Sequence, residues 1–250
     1  MPLEMFKDGH LGGYIQGGDP QTFCPHLWEW FIRKYHIRSV LDIGCGEGYS
    51  TRLFQKMGCE VLGVEGCQQA VDDSVIRECV VKHDFCQGPF VAGKRFDMIW
   101  SCEFLEHVEE KYLPNILETL QLADRFVLMT HAEPGQEDGH HHVNCQSSLY
   151  WVRQLRRVGF VCDVALTTQS RVETLKDFEG VNHFARSGLI FQQAKDRQNR
   201  TISFLNHLSD PFRVFLITHG FKASSSYRQR RGQMRLKKRK AHQQENKGMP

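Results

Sequence analysis

Four of the thirteen histidines in this 250-residue chain crowd one stretch, Thr130–Asn144, as His131, His140, His141 and His142. An imidazole titrates near neutral pH, so it can take the proton of a hydroxyl nucleophile, worth roughly 10²–10⁴-fold in rate. Glu133, Asp138 and Asn144 share the stretch. Three uses are open: a base or binder for substrate, a divalent-metal site combining the imidazoles with Glu133 or Asp138, or a structural loop. Adjacent loop residues seldom all face inward. The preferred reading takes His141 and His142 as the base, with His131 beside them and Asn144 orienting the substrate. No metal ligand set is assigned, because no second ligand cluster stands out.

A second constellation precedes it. Val40 to Gly48, Val-Leu-Asp-Ile-Gly-Cys-Gly-Glu-Gly, reads as a buried strand running into a tight glycine turn. Tyr49 to Met57 then has helical spacing, with Leu53, Phe54 and Met57 on one stripe. Backbone without Cβ atoms can approach a ligand closely, so strand, glycine turn and helix together suit a nucleotide-type site. Val61-Leu62-Gly63-Val64-Glu65 adds a second apolar strand ending in a carboxylate about 20 residues on, placed for a ribose diol. No Lys-Ser/Thr pair follows the glycines, which disfavours a phosphate-cradling loop.

Asp42-Ile43-Gly44-Cys45-Gly46-Glu47-Gly48 resembles the first motif of the class I S-adenosylmethionine-dependent methyltransferases. Val80 to Phe85 is similar to that family's third strand, Phe96 to Val108 to its fourth strand and following loop, and Arg125 to Thr130 to its fifth. The ordered matches cover roughly residues 38–131. The resemblance implies an α/β fold: a seven-stranded Rossmann-like sheet flanked by helices and closed by an antiparallel hairpin, with S-adenosyl-L-methionine as cofactor. It implies Glu65 on the ribose hydroxyls and Asp84 on the adenine amino group. Asp42, Gly44, Cys45, Gly46, Gly66, Phe85, Ser101 and Tyr14 complete the expected cofactor site. It also places the histidine stretch beside the sulfonium methyl, and gives His107, in Glu103-Phe104-Leu105-Glu106-His107, a part in shaping the cofactor pocket.

The elements that position these groups can be laid out coarsely. Residues 9–20 are too glycine-rich for a stable helix or strand and read as a flap over the ligand, with Tyr14 and Asp19 as contacts. Helices are expected over Pro25–Tyr35, Lys111–Leu122 and Ser147–Val158, and a short one within Val172–Phe184. Phe160–Leu166 and Gly188–Gln192 read as the last two strands. Ile202–Phe221 is apolar enough for a helix or two around Pro211. The divisions are 1–36, flap and helix; 37–193, methyltransferase domain; 194–227, helical extension; and 228–250, basic disordered tail.

Charge separates that tail from the body. Residues 228–250 carry nine Lys/Arg and one Glu, so the first 227 residues are net −5 although the whole chain is +3. The tail has too few apolar residues to order itself and could bind RNA or another anionic partner. The acidic body argues against a nucleic-acid groove. Nine scattered cysteines without a Cys-x-x-Cys pair point to a reducing compartment. With no secretory segment and no apolar run long enough for a membrane span, a cytoplasmic location is expected. The sequence lacks the Asn/Asp-Pro-Pro-Tyr of amino methylation and the Pro-Cys of cytosine C5 methylation. An O-methyltransferase acting on a small-molecule or sugar-like acceptor is the favoured function. An RNA-binding protein or RNA methyltransferase anchored by the tail is the alternative.

Overall fold

The structure, a computed structural model, describes residues 9–11, 13–177, 181–194, 209–223 and 233. Its centre is a seven-stranded sheet: β1 (Ser39–Ile43), β2 (Glu60–Glu65), β3 (Val80–Lys82), β4 (Phe96–Ser101), β5 (Ala123–Met129), β6 (Phe160–Cys162) and β7 (Leu189–Gln193). The spatial order is β3-β2-β1-β4-β5-β7-β6. The first five strands are parallel, with Leu41 opposite both Leu62 and Ile99. β7 runs antiparallel between β5 and β6, with Val127 opposite Phe191 and Val161 opposite Gln192. The order reverses between β1 and β4, and a crevice opens beyond the carboxyl ends of strands at such a point.

Helices α1 (Pro25–Tyr35), α2 (Tyr49–Lys56), α3 (Gln68–Asp72), α4 (Leu113–Leu120), α5 (Ser148–Arg157), α6 (Val164–Glu173), α7 (His183–Ser187) and α8 (Asp210–Ala223) surround the sheet. Successive strand residues point to opposite faces, and the two faces build separate cores. Leu41, Val127, Met129 and Phe191 join Ile116, Leu120, Trp151 and Leu155 of α4 and α5. Val40, Trp100, Leu128 and Ile190 join Leu27, Trp28 and Phe31 of α1, Phe54 of α2 and Phe184 of α7. Trp28, fully buried, meets Trp100 edge-on at 5.2 Å and lies 4.8 Å from Phe54.

Several boundaries differ from the sequence reading for local reasons. Phe160–Leu166 is a strand only to Cys162, because Asp163 accepts a hydrogen bond from Leu166 N and starts α6. The helix expected within Val172–Phe184 is the end of α6, a 3₁₀ turn at Thr174–Lys176, and α7, which Asn182 caps by accepting from Ala185 N. Lys111–Leu122 shortens to α4 behind a 3₁₀ turn at Glu110–Tyr112. Pro211 sits in the first turn of α8, where its missing N–H costs nothing. α8 packs against α5 and α6, and its buried Arg213 donates to Cys162 O at 3.0 Å. Apart from Gln233, the basic tail lies outside the described residues, and so does 202–208. Among the described residues no helix is long and apolar enough to cross a membrane.

Trp28 fills the gap between α1, α2 and β4. Trp28→Ala is expected to lower unfolding free energy by about 3–5 kcal/mol, read by urea denaturation. A loss below about 1 kcal/mol would show that this face is loosely packed.

Candidate active site

The chain leaves β1 through three glycines with left-handed backbone: Gly44 (φ 71°), Gly46 (φ 54°) and Gly48 (φ 79°). A Cβ on Gly44 would also lie 2.6 Å from the Phe104 ring. The turn is pinned to the end of β2. Gly44 N and Cys45 N donate to Val64 O at 2.8 and 3.2 Å, and Gly46 N donates to the Glu65 carboxylate at 2.8 Å. The other Glu65 oxygen accepts from Cys67 N at 2.8 Å. Burial raises the Glu65 pKa, and these N–H groups oppose the rise. Asp42 works beneath the turn. Ser50 and Thr51 hydroxyls donate to it at 2.5 and 2.7 Å, which anchors the first turn of α2. Burial pushes Asp42 up to about 6 against those hydrogen bonds.

Two adjoining cavities lie above the strand ends. The smaller, about 100 Å³, has Gly44, Gly46, Glu65, Gly66, Asp84 and Phe85 in its wall. His10, Leu11, Gly13 and Tyr14 roof it. His10 Nε2 lies 3.4 Å from Asp84, and a Cβ on Gly66 would meet Leu11 at 2.7 Å. Asp84 also accepts from Cys86 N at 2.8 Å; burial would raise its pKa, but these partners hold it below the ordinary value. The larger cavity, about 650 Å³, is walled by Tyr14, Asp19, Glu47, Glu103, His107, His140, His142 and His183 among others. A further concavity of about 790 Å³, lined by Leu113, Leu117, Tyr150 and Gln154, lies over α4 and α5. It contains none of the strand-end groups.

Carboxylates and imidazoles meet where β4 ends. Glu103 has left-handed backbone (φ 51°), a conformation costly for a non-glycine residue. His183 links it to the flap: Nδ1 lies 2.9 Å from Glu103 and Nε2 3.0 Å from Asp19. With a carboxylate at each nitrogen the charged form of the ring is favoured. Burial would lower its pKa, and Glu103 and Asp19 raise it instead. Glu103 is correspondingly lowered by His183 and Thr130 against its own burial. Glu106, three residues on, has the opposite fate. It is fully buried, neither carboxylate oxygen has a partner at good hydrogen-bond geometry, and burial with the nearby Glu103 charge pushes it to about 8. His107 falls to about 4 through burial and then the neighbouring His142.

The histidine stretch is hung on this corner. Val143 N and Asn144 N both donate to Glu106 O, at 2.9 and 3.0 Å. His142 Nδ1 lies 2.6 Å from Gln136 O, and its ring meets His107 edge-on at 5.1 Å. Gly139 has no room for a side chain, since a Cβ there would sit 2.2 Å from the His142 ring. His142 and His140 thus face the larger cavity, and His141, with left-handed backbone (φ 49°), faces the smaller.

His131 is not brought to either cavity. It is 1% exposed beneath α5, with Nε2 3.0 Å from the Ser148 hydroxyl. A base there has no route to an acceptor, which corrects its placement beside the other histidines. Asp42 and Ser101 are likewise buried and outside both cavity walls. Cys45 and Tyr14 are in the walls. Glu133 is held by Ser148 at 3.0 Å, so it does not join His140, His141 and His142. Sequence reasoning missed His10, Glu103 and His183. The Glu-x-x-Glu-His spacing at 103–107 was the available signal for the second.

The His183 bridge has a pH signature. A raised His183 pKa makes its contribution complete below 6.5 and lost as pH rises through the folded value. A lowered Glu103 pKa makes its share complete above 4.5 and lost as pH falls. The stability gap between wild type and His183→Gln is therefore expected to be widest between pH 4.5 and 6.5, at about 1.5–3 kcal/mol. Urea unfolding across pH 4–9 measures it; a pH-independent gap would discount the ion pair.

Residues 41–125 match the family described as "Methyltransferase domain". The tocopherol O-methyltransferase of Arabidopsis thaliana chloroplasts is 30% identical over 106 residues, 38% of this chain and 30% of that protein. The ubiquinone biosynthesis O-methyltransferase of Azorhizobium caulinodans is 35% identical over 77 residues, 28% of this chain and 30% of that one. The matched stretch thus spans 30% of the length of either relative. Among solved structures, a TehB-like S-adenosylmethionine-dependent methyltransferase from Corynebacterium glutamicum gives a TM-score of 0.48 at 17% identity over 67% of this chain and 88% of that chain. Magnesium protoporphyrin IX methyltransferase from Synechocystis PCC 6803 gives 0.45 at 20% identity over 57% and 69%. The matched stretch runs from β1 and its glycine turn to the start of β5, so the strand-end site lies within the part of the chain that is similar to methyltransferase domains, on a sheet of order 3-2-1-4-5-7-6.

Proposed function

We propose that this chain binds S-adenosyl-L-methionine over the ends of β1, β2 and β3 and methylates a hydroxyl of a small-molecule or sugar-like acceptor in the adjoining cavity. The observation that carries the reading is the convergence of the glycine turn, Glu65 and Asp84 on one cavity that opens beside a wall of imidazoles. The residues fit the cofactor. Each Glu65 oxygen has one backbone donor in place and retains acceptor capacity for a ribose diol. Asp84 has an oxygen facing the roof residue His10, Phe85 offers a flat apolar wall, and Gly44 and Gly46 leave the main chain bare.

The smaller cavity alone is below the ~300–1,000 Å³ of small-molecule sites, and with its neighbour it reaches that range. When bound, the cofactor supplies an electrophilic methyl group. The chain's own task is to align an acceptor against it, and orientation of this kind can lower a barrier by ~7 kcal/mol or more. His107, His140 and His142 form the wall where the acceptor's hydroxyl proton leaves. Among the described residues neither cavity is lined by a lysine or arginine, which favours an acceptor without a phosphate backbone. The two curated relatives are both named O-methyltransferases, which supports oxygen as the accepting atom. Nothing among the described residues supports the RNA alternative, whose basic tail lies outside them.

Isothermal titration with S-adenosylmethionine and S-adenosylhomocysteine tests the cofactor half of this reading. One ligand per chain is expected. Glu65→Ala should weaken it at least ~10-fold through loss of a charged hydrogen-bond acceptor, and Gly44→Arg should abolish it. Unchanged affinity in both variants would remove the strand-end assignment. A radiolabelled methyl screen over hydroxylated metabolites and glycosides then tests the acceptor, and labelling of amines alone would overturn the hydroxyl assignment.

A further inference from the structure

We propose that Glu106, His107 and His142 hold a first-row divalent metal ion at the edge of the acceptor cavity, and that the acceptor's hydroxyl binds that ion's open positions. The second half rests on the methyltransferase reading above; the first half does not.

One donor atom from each of the three residues lies within 4.8 Å of the other two. Ligands at ~2.0–2.2 Å from a shared tetrahedral ion lie ~3.3–3.6 Å apart, a spacing these donors reach by closing in by about 1 Å. The independent observation is a set of buried polar atoms without a well-formed hydrogen bond. Both carboxylate oxygens of the fully buried Glu106 and the His107 Nδ1 lack a partner at good hydrogen-bond geometry, with only the Ala132 N–H, its own N–H and the Glu103 carboxyl near the Glu106 oxygens. A buried carboxylate without a donor is costly, and a cation is the simplest group that would satisfy both of its oxygens and an imidazole together.

His142 is set up as a ligand. Its Nδ1 faces Gln136 O at 2.6 Å, so the proton resides there and Nε2 keeps its lone pair. Metal-bound histidines are commonly oriented by such a carbonyl on their other nitrogen. The scaffold is rigid for the same purpose. Glu106 and His107 share a 3₁₀ turn, and Val143 and Asn144 are tied to Glu106 O. Gly139 leaves space for the His142 ring alone.

Two imidazoles and one carboxylate favour zinc, cobalt, nickel, iron or manganese over magnesium or calcium, which prefer all-oxygen sites. Three protein ligands leave positions open. His107 and His142 both line the larger cavity, so those positions face the space assigned to the acceptor. An ion there lowers the pKa of a bound hydroxyl. The proton passes to solvent, the oxygen lone pair forms the new C–O bond, and the electrons of the S–C bond return to sulfur. The imidazoles then act as ligands, and no histidine need serve as the base. A second grouping, His10, Asp84 and Cys86, meets the same spacing. Its members already bond one another, through His10 to Asp84 and Cys86 N to Asp84, and it has no orphaned carboxylate.

The test uses chelator-treated full-length protein titrated with Co²⁺ by calorimetry and visible absorption. One equivalent with d–d bands is expected, with no heat from Mg²⁺ at the same concentration. His142→Ala, His107→Ala and Glu106→Gln should each weaken Co²⁺ binding more than ~10-fold, beyond the usual cost of disturbing only an outer contact. Glu106→Gln keeps the buried shape, and His142→Ala alters a half-buried loop residue, so the site stays testable if one of them misfolds. Glu133→Gln and His10→Ala should leave the affinity unchanged.

Catechol, used as a probe hydroxyl ligand, should shift the Co²⁺ spectrum of wild type. Absence of Co²⁺ binding, binding indifferent to His142→Ala and His107→Ala, or binding lost in His10→Ala would overturn the ion site. A spectrum unmoved by catechol would overturn the acceptor's part. S-adenosylhomocysteine titrated in chelator reports separately. If it fails to bind while Co²⁺ binding survives, the cofactor reading falls and the ion site stands.

Discussion

The main-chain path of residues 44–48 is the constraint on which the site depends. Left-handed glycines let the chain turn out of β1 and straight into α2, and the first N–H groups of that turn point at the end of β2. Val64 O and the Glu65 carboxylate receive them. The strand ends are thereby locked at a fixed spacing, and the bare backbone between them is what a nucleotide can approach. Asp42 supports the same turn from below through Ser50 and Thr51. Its distance from the cavity shows that a residue of a binding motif can act wholly through position.

Charge at the end of β4 follows from packing. Glu103 and Glu106 sit three residues apart, yet one is stabilised ionised by His183 and the other is driven towards its neutral form by burial. A corner that separates two carboxylates in this way is polarised, with fixed negative charge towards the flap and an orphaned acid beneath the histidine loop. Desolvation makes each of those interactions stronger than it would be in water. The left-handed backbone of Glu103 and His141 belongs to the same corner, where the surrounding contacts hold both residues in a costly conformation.

Much of the fold was legible in the sequence because it is locally encoded. Apolar runs near 40, 61, 96 and 125 are strands, Glu65 ends β2 and Asp84 comes shortly after β3. What escaped was non-local or hidden by hydrophobicity. Val164-Ala165-Leu166 is apolar enough to extend a strand, and only the Asp163 side chain turns it into a helix. His131 sits next to the end of β5, and nothing in its spacing shows that it turns under α5 towards Ser148. The meeting of Glu106 and His107 with His142 depends on hydrogen bonds to one carbonyl from residues 143 and 144, far along the chain. Spacing within a motif cannot encode that register.

The roof formed by His10, Leu11 and Tyr14 sets an order of events. The space beneath it is about 100 Å³, whereas the adjoining cavity is about 650 Å³. A nucleoside held there, as proposed, would have to part the His10–Asp84 contact on entering and leaving. The acceptor side can empty and refill while the roof stays down. With S-adenosylmethionine bound there, as proposed, release of the spent nucleoside would require that contact to part in every turnover.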